Sequence, residues 1–528
     1  MPVRPSYPGV YISETASGVR SIQGVPTSVT AILGRFRRGP IDEPASAPNF
    51  GEFARRFGGL WAPSPASYAV EDFFANGGSQ AIIVRLFRPR DANDDGVAML
   101  AVGNLSLVAT DPGEWGNGLS AVVTYPADAQ AVEDIAVQHG LVATDLFDLT
   151  VVDGSTNQRE VFSNVTVNTD GGVRRLDRVL EAESSLVRVA QSGGSPQLPD
   201  TRPAENAAGN GTGGNDGDGL TTADMIGDAD EKSGLHALLK TDIFNVLVIP
   251  PDTNGGTIEP AVWEQAAEFC AERRAFVLID PPAEWDDRPD IAVRTVIEAQ
   301  RASPIIPPAH ASHAALFFPR YGRRDPLNGG QIATSTPSGM IAGIMARTDA
   351  ARGVWKAASG LEATLSGADA LTVKLTDAEN GLLNPIGVNC LRGFPAVGYV
   401  VWGARTLRGA DQFADEYKYI PVRRLALFIE ESLVRGTRWA VFSPNDEPLW
   451  AQIRLSVSAF MHNLFGQGAF QGATPRDAYF VKCDAETTTQ DDIDRGAMNI
   501  VVGFAPLKPA EFVIITIRQI VNGGCPPG

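Results

Sequence analysis

Three stretches of the chain are apolar at almost every position instead of at alternate ones: residues 243–249 (IFNVLVI), residues 275–279 (AFVLI) and residues 314–318 (AALFF). A strand that is apolar on both sides must be covered on both sides, which is the pattern of a parallel sheet with helices on its two faces. Helical patterns lie between them. Pro260 suits a first turn and is followed by Val262, Ala266, Phe269 and Cys270 on one face, and residues 291–299 read as a second helix. The same grammar appears earlier in the chain. Residues 28–33 (SVTAIL) read as a buried strand and Asn49 as the cap of a short helix carrying Phe53 and Phe57. Residues 67–75 read as a helix stopped by Asn76-Gly77-Gly78, and residues 81–87 (AIIVRLF) as a strand.

Residues 91–235 have a different texture. Short alternating stretches at 105–109, 119–125, 146–152 and 159–165, separated by turn residues, predict an antiparallel β insertion. Residues 209–219 (GNGTGGNDGDG) read as a mobile surface loop on composition. Further on, Asn445 reads as a helix cap with Pro448 in the first turn. Leu449, Trp450, Ile453, Val457, Phe460, Met461 and Leu464 then follow at helical spacing up to Gly466, the clearest amphipathic helix in the chain.

The two ends are extended. Pro2, Pro5 and Pro8 exclude helix at the start, and Val10, Tyr11, Ile12, Val19 and Ile22 give short β-like stretches. Phe512, Val513, Ile514, Ile515 and Ile517 form a strand that is apolar on both faces. Neither end has the apolar residues to build its own core, so each must pair with or pack on something else. The fold class expected is therefore multidomain α+β. An amino-terminal arm (1–25) packs with the carboxy-terminal domain. A discontinuous α/β middle domain (26–90 plus 236–384) is similar to the open sheets of doubly wound proteins. An antiparallel β domain (91–235) is inserted in it, and an α+β domain (385–528) ends in a second arm.

Composition narrows the function more than the fold. A chain of 528 residues suggests about three or four domains. The net charge of −18 argues against a nucleic-acid partner, which needs a basic surface. Cys270, Cys390, Cys483 and Cys525 are far apart and form no CxxC pair, so reduced thiols are expected. No secretory leader and no membrane-spanning run is visible, which points to synthesis and assembly in the cytoplasm without direct membrane insertion.

The candidate chemistry is thin. His310 and His313 lack flanking ligands for zinc. The stretch from Gly213 to Leu220 resembles one copy of a calcium-binding repeat that works only in stacks. Asp484, Glu486, Asp491, Asp492 and Asp494 read as a solvated loop or an inter-subunit contact. No phosphate-binding loop follows a strand. No catalytic residue, cofactor or metal is expected, and the chain does not read as an enzyme. An enzyme or nucleotide-binding protein with a doubly wound domain, or a self-assembling surface protein, remain the alternatives.

Ordered blocks across most of the chain resemble the tail sheath proteins of contractile phages, bacteriocins and injection systems. They run PGVYISE…IQGVPTSVTAILG…GP from Pro8 to Pro40, FFANGGSQAIIVRL from Phe73, then FNVLVIPP, CAERRAFVLIDPP and PSGMIAGIMARTDAARGVWKAASG up to Gly360. WAVFSPNDEPLWAQIR, GATPRDAYFVKCDAETTT and NIVVGFAPLKPAEFVIITI follow, from Trp439 to Ile517. The resemblance implies a structural subunit that stacks in hexameric rings around an inner tube protein, with baseplate and terminator or cap proteins as further partners. Contraction would drive the tube through a target envelope, as part of a phage tail or tail-like particle.

The resemblance also implies that the arms, through Val10, Tyr11, Ile12, Val19 and Ile22 and through Phe512, Val513, Ile514, Ile515 and Ile517, add strands to neighbouring copies. Residues 385–528 would then be the inner core of the sheath, with Gln452, Arg454, His462 and Asn463 facing the tube. The insertion would lie outside, where removal of residues 192–219 should spare assembly.

Overall fold

The structure, a computed structural model, describes residues 20–91, 94–169 and 172–512. The chain divides into two compact units. The larger comprises Thr27–Arg347 and Ser359–Ala414; the smaller comprises Thr348–Ala358 with the described residues 20–26 and 415–512. Both mix helices with sheets.

The larger unit is built on an eight-stranded sheet. Its order is Ala45–Ala47, Ala81–Arg85, Thr30–Gly34, Val246–Val248, Phe276–Ile279, Ala314–Phe318, Val388–Phe394, Gly398–Trp402. The six inner strands are parallel, and the outermost strand at each edge turns antiparallel. Five of the inner strands, Thr30–Gly34, Ala81–Arg85, Val246–Val248, Phe276–Ile279 and Ala314–Phe318, are buried at every position, as apolar residues on both faces require. The helix Pro260–Glu272 buries Val262, Ala266, Phe269 and Cys270 against the sheet. The predicted cap Asn49 accepts a hydrogen bond from the Glu52 amide and starts the helix Phe50–Phe57. The following helix begins earlier than its pattern predicts, at Pro65 with Ser64 as cap. Val388–Phe394 and Gly398–Trp402 complete the sheet, so the boundary expected at residue 385 falls inside this unit.

A second sheet of seven antiparallel strands lies in the sequence between Ala81–Arg85 and Val246–Val248. Its order is Gln158–Val165, Phe147–Asp153, Leu119–Thr124, Ala208–Thr212, Met99–Val102, Leu105–Ala109, Val187–Val189. The insertion is not purely β: it also carries the helices Ala129–His139 and Leu176–Glu183, the second of which buries Leu176, Val179 and Leu180 in the core of this sheet. Two buried arginines tie it to the parallel sheet. Arg85 donates to the carbonyls of Phe36, Gly39 and Pro112 at 3.0, 2.7 and 2.8 Å. Arg38 meets Asp153 at 3.2 Å. Burial holds the Arg85 guanidinium below its usual range, at about 10.

The Gly-rich segment is the principal correction. It is not a mobile loop: Ala208–Thr212 is the central strand of the seven, paired on both sides. A Cβ at Gly209 would stand 2.1 Å from the Ala101 carbonyl oxygen, and one at Gly211 would stand 1.9 Å from that of Gly116. These glycines allow close backbone approach, a role that composition does not distinguish from flexibility. Beyond the strand, Asn117 exchanges hydrogen bonds with Gly214 in both directions (2.7 and 2.8 Å), and the Asn215 amide donates to Asp94. Removing residues 192–219 would delete the centre of this sheet and expose its core, so the expectation that their loss is harmless does not hold.

Gly211→Ala should therefore destabilise the protein by about 3 kcal/mol or more in chemical denaturation. Gly193→Ala, with open space around a left-handed backbone (φ 57°), should cost only about 1 kcal/mol. Equal effects would mean that the close approach at Gly211 is not real.

Candidate assembly surface

In the larger unit, the carboxyl ends of the parallel strands are where a doubly wound sheet would bind a ligand. Here that end is filled by internal pairs. Arg35, following the first strand, meets Asp252 at 2.5 Å, and Asp252 also accepts from the Leu220 amide. Arg320 grips the buried Asp286 through Nε at 2.9 and 3.1 Å and also bonds the Ala283 carbonyl; Thr372 donates to Asp286 at 2.7 Å. Asp280 caps the helix Ser338–Arg352, accepting from the Ser338 amide at 2.9 Å and its hydroxyl at 2.7 Å. Its carboxylate occupies the position where an anion would approach that helix. Burial pushes Asp280 up to about 6, against the opposing pull of its Ser338 hydrogen bonds. Among the described residues, no group of three or more His, Cys, Asp or Glu is placed to hold a metal ion. Cys270, Cys390 and Cys483 are buried free thiols, and burial pushes Cys390 up to about 12.

The smaller unit packs the helix Ile420–Thr437 with the helix Glu447–Gly466 around one core. Every apolar residue predicted for the inner face of the second helix is buried. Its cap is Asp446, which accepts from the Leu449 amide; the expected cap Asn445 instead accepts from the Trp450 indole at 2.8 Å and donates to the Ala497 carbonyl at 2.8 Å. Two adjacent residues with capping side chains are not separable by type alone. Arg424 and Asp349, both nearly buried, form a two-pronged pair at 3.0 and 2.6 Å.

The four residues proposed for a tube-facing surface do not share one side of this helix. Gln452, His462 and Asn463 are exposed on the side opposite the core. Arg454 lies roughly 200° around the helix from Gln452 at 100° per residue. It is half-buried there, pairing with Glu447 at 2.6 Å and donating to the Cys483 carbonyl. Leu455, 53% exposed, sits with the first three and breaks the polar pattern of that side. It was legible in the sequence as a leucine outside the apolar stripe.

Against the helix Glu447–Gly466 lies a ribbon of two antiparallel strands, Tyr479–Lys482 and Val501–Phe504. Tyr479, Val481, Val502 and Phe504 pack toward the core, while Phe480 remains 52% exposed over Gly503. Among the described residues no third strand joins this ribbon. Just past the second strand, Phe470 bridges Pro506 and the Gln471 amide donates to the Ala505 carbonyl at 2.8 Å. The remaining edges, unpaired among the described residues, and the exposed aromatic suit strand addition.

Of the predicted arm residues, Ile22 is buried in the core of this unit and Phe512 is exposed. Val10, Tyr11, Ile12, Val19, Val513, Ile514, Ile515 and Ile517 lie outside the described residues.

The models of the phage tail sheath protein central domain and the phage tail sheath C-terminal domain match residues 221–407 and 414–520, together more than half of the sequence, and the chain belongs to the phage tail sheath family. The tail sheath protein of Vibrio phage KVP40 is 27% identical over 179 residues, which is 34% of this chain and 25% of that protein. The chain thus matches only a quarter of that relative's length.

Similar folds occur in the contracted sheath complex of an extracellular contractile injection system, PVC (TM-score 0.57, 20% identity, 98% of this chain and 99% of that one). The contracted helical sheath of the anti-feeding prophage is also similar (0.55, 22%, 98% and 99%). So is the sheath tail protein of Listeria innocua (0.58, 12%, 92% and 96%). No helix among the described residues is long and apolar enough to cross a membrane.

Asp280 gives a signed pH prediction. Its folded-state value, about 6, lies above the ordinary 3.8, so the folded chain binds the extra proton between about pH 6 and pH 4 and the unfolded chain does not. This group's contribution to stability should rise as pH falls through that window. Relative to Asp280→Asn, the wild type should gain up to about 2 kcal/mol between pH 7 and pH 4 in chemical denaturation. A difference that stays constant or shrinks on acidification would show that Asp280 titrates normally.

Proposed function

We propose that this chain is the repeating subunit of a contractile sheath. It polymerises helically around an inner tube and, on a signal from a baseplate, rearranges into a shorter, wider helix that drives the tube through a target envelope. Family membership supports this, and so does the fold it shares with sheaths of phage-tail-like injection systems. The observation that carries it is the ribbon Tyr479–Lys482 and Val501–Phe504, which no third strand joins among the described residues.

In this reading the arms of one copy, through Val10, Tyr11, Ile12 and Val19 and through Val513, Ile514, Ile515 and Ile517, extend the ribbon of the next. Backbone hydrogen bonds supply the strength and alternate side chains set the register. Links of this head-to-tail kind propagate without closing, giving a helical array. The discontinuous α/β domain serves as a rigid body, the insertion faces outward, and Gln452, His462 and Asn463 meet the tube. Inner tube, baseplate and terminator proteins are the partners, and assembly takes place in the cytoplasm.

Deleting residues 1–19, or separately residues 513–528, should leave a folded monomer by circular dichroism that no longer sediments as polymer. Polymerisation by either truncated chain would remove that arm from the mechanism. Gln452→Glu with His462→Glu should lower tube protein co-sedimenting with sheath by about tenfold through lost contact. Arg454→Glu should lower thermal stability first, because it breaks a brace within the unit. Undiminished tube binding by the double variant would take this helix off the tube face.

A further inference from the structure

The residues that lead out of the amino-terminal arm are not loose. From Arg20 to Val25 the chain runs antiparallel along the helix Ile420–Thr437 and the residues just after it. The Arg20 guanidinium lies 4.6 Å from the centre of the Trp439 ring. Ile22 is buried over Gly436, where a Cβ would stand 2.5 Å from Ile22 Cγ2 and 2.8 Å from Cγ1. The Val25 amide donates to the Ser432 hydroxyl at 3.2 Å, and Gly24 lies against the Phe428 ring. Phe428, Ser432 and Gly436 are spaced by four and so line one ridge of the helix. Gly436 has no left-handed backbone that would call for glycine. Its missing side chain is explained by the room Ile22 needs.

We propose that this groove, formed by Phe428, Ser432 and Gly436 and ended by Trp439, is an anchoring site for the amino-terminal arm. The site binds the chain's own residues 20–25. It fixes the point from which the residues before Arg20 reach a second copy, and it bears the load on that link when the sheath rearranges. This rests on the strand-exchange reading above. An arm that pulled free at its root would transmit no force to its own subunit, however well its far end were paired. Gly436, Ser432 and Ile22 are thus positioning residues for a contact made elsewhere.

The test compares the full chain with Gly436→Leu, with Ile22→Ser and with a chain lacking residues 1–19. Two readouts are used: the rate of trypsin cleavage after Arg20 in the unassembled protein, and the yield of sheath on co-expression with the tube protein. Ile22→Ser leaves the helix untouched and covers the case in which Gly436→Leu fails to fold. Cleavage should accelerate about tenfold or more in both point variants, and sheath yield should fall as it does for the truncated chain. Unchanged cleavage would overturn the anchor. Faster cleavage with full sheath yield, while the truncated chain assembles nothing, would overturn its role in assembly and leave strand exchange standing. Full assembly by the truncated chain would instead remove strand exchange through this arm, and the proposed role of the anchor with it.

Discussion

Backbone amides and carbonyls held away from water must find partners, and the two units meet this constraint differently. In the larger unit the parallel strands of the main sheet are paired on both sides. The parallel sheet ends at each edge in a short antiparallel strand. The outer side of Gly398–Trp402 is covered in turn by residues 360–365, through Gly360 to Val401 and Leu365 to Tyr399. Buried guanidiniums complete the loops: Arg85 alone takes three carbonyls. In the smaller unit the ribbon Tyr479–Lys482 and Val501–Phe504 has two strands and no more among the described residues.

The same contrast accounts for the polar clusters. A doubly wound sheet with a vacant carboxyl end invites a nucleotide or an acid. Here Asp252, Asp280 and Asp286 are each met by a partner from the same chain. Such buried pairs add little net stability over an apolar replacement but specify one arrangement of the loops.

Much of the architecture was legible in the sequence because it rests on burial. The strand Ala314–Phe318 and the inner face of Glu447–Gly466 follow from apolar patterning, and the structure places them as that patterning requires. The misreadings have a common origin in neighbours that are distant in sequence. Gly209 and Gly211 read as loop because nothing local reveals that the carbonyls of Ala101 and Gly116 press against them. Arg454 read as a surface residue because its partner at Cys483 is brought close only by the fold. The helices Ala129–His139 and Leu176–Glu183 are masked in the sequence by the alternating segments on either side. Gly436 gave no signal at all, since its reason is Ile22, more than four hundred positions away.

If this chain assembles into a sheath around a tube, electron microscopy of the purified protein co-expressed with its tube protein will show it. Hollow cylinders with regular cross-striations, each enclosing or having released a tube, are the predicted result. Monodisperse particles beside bare tubes would contradict it.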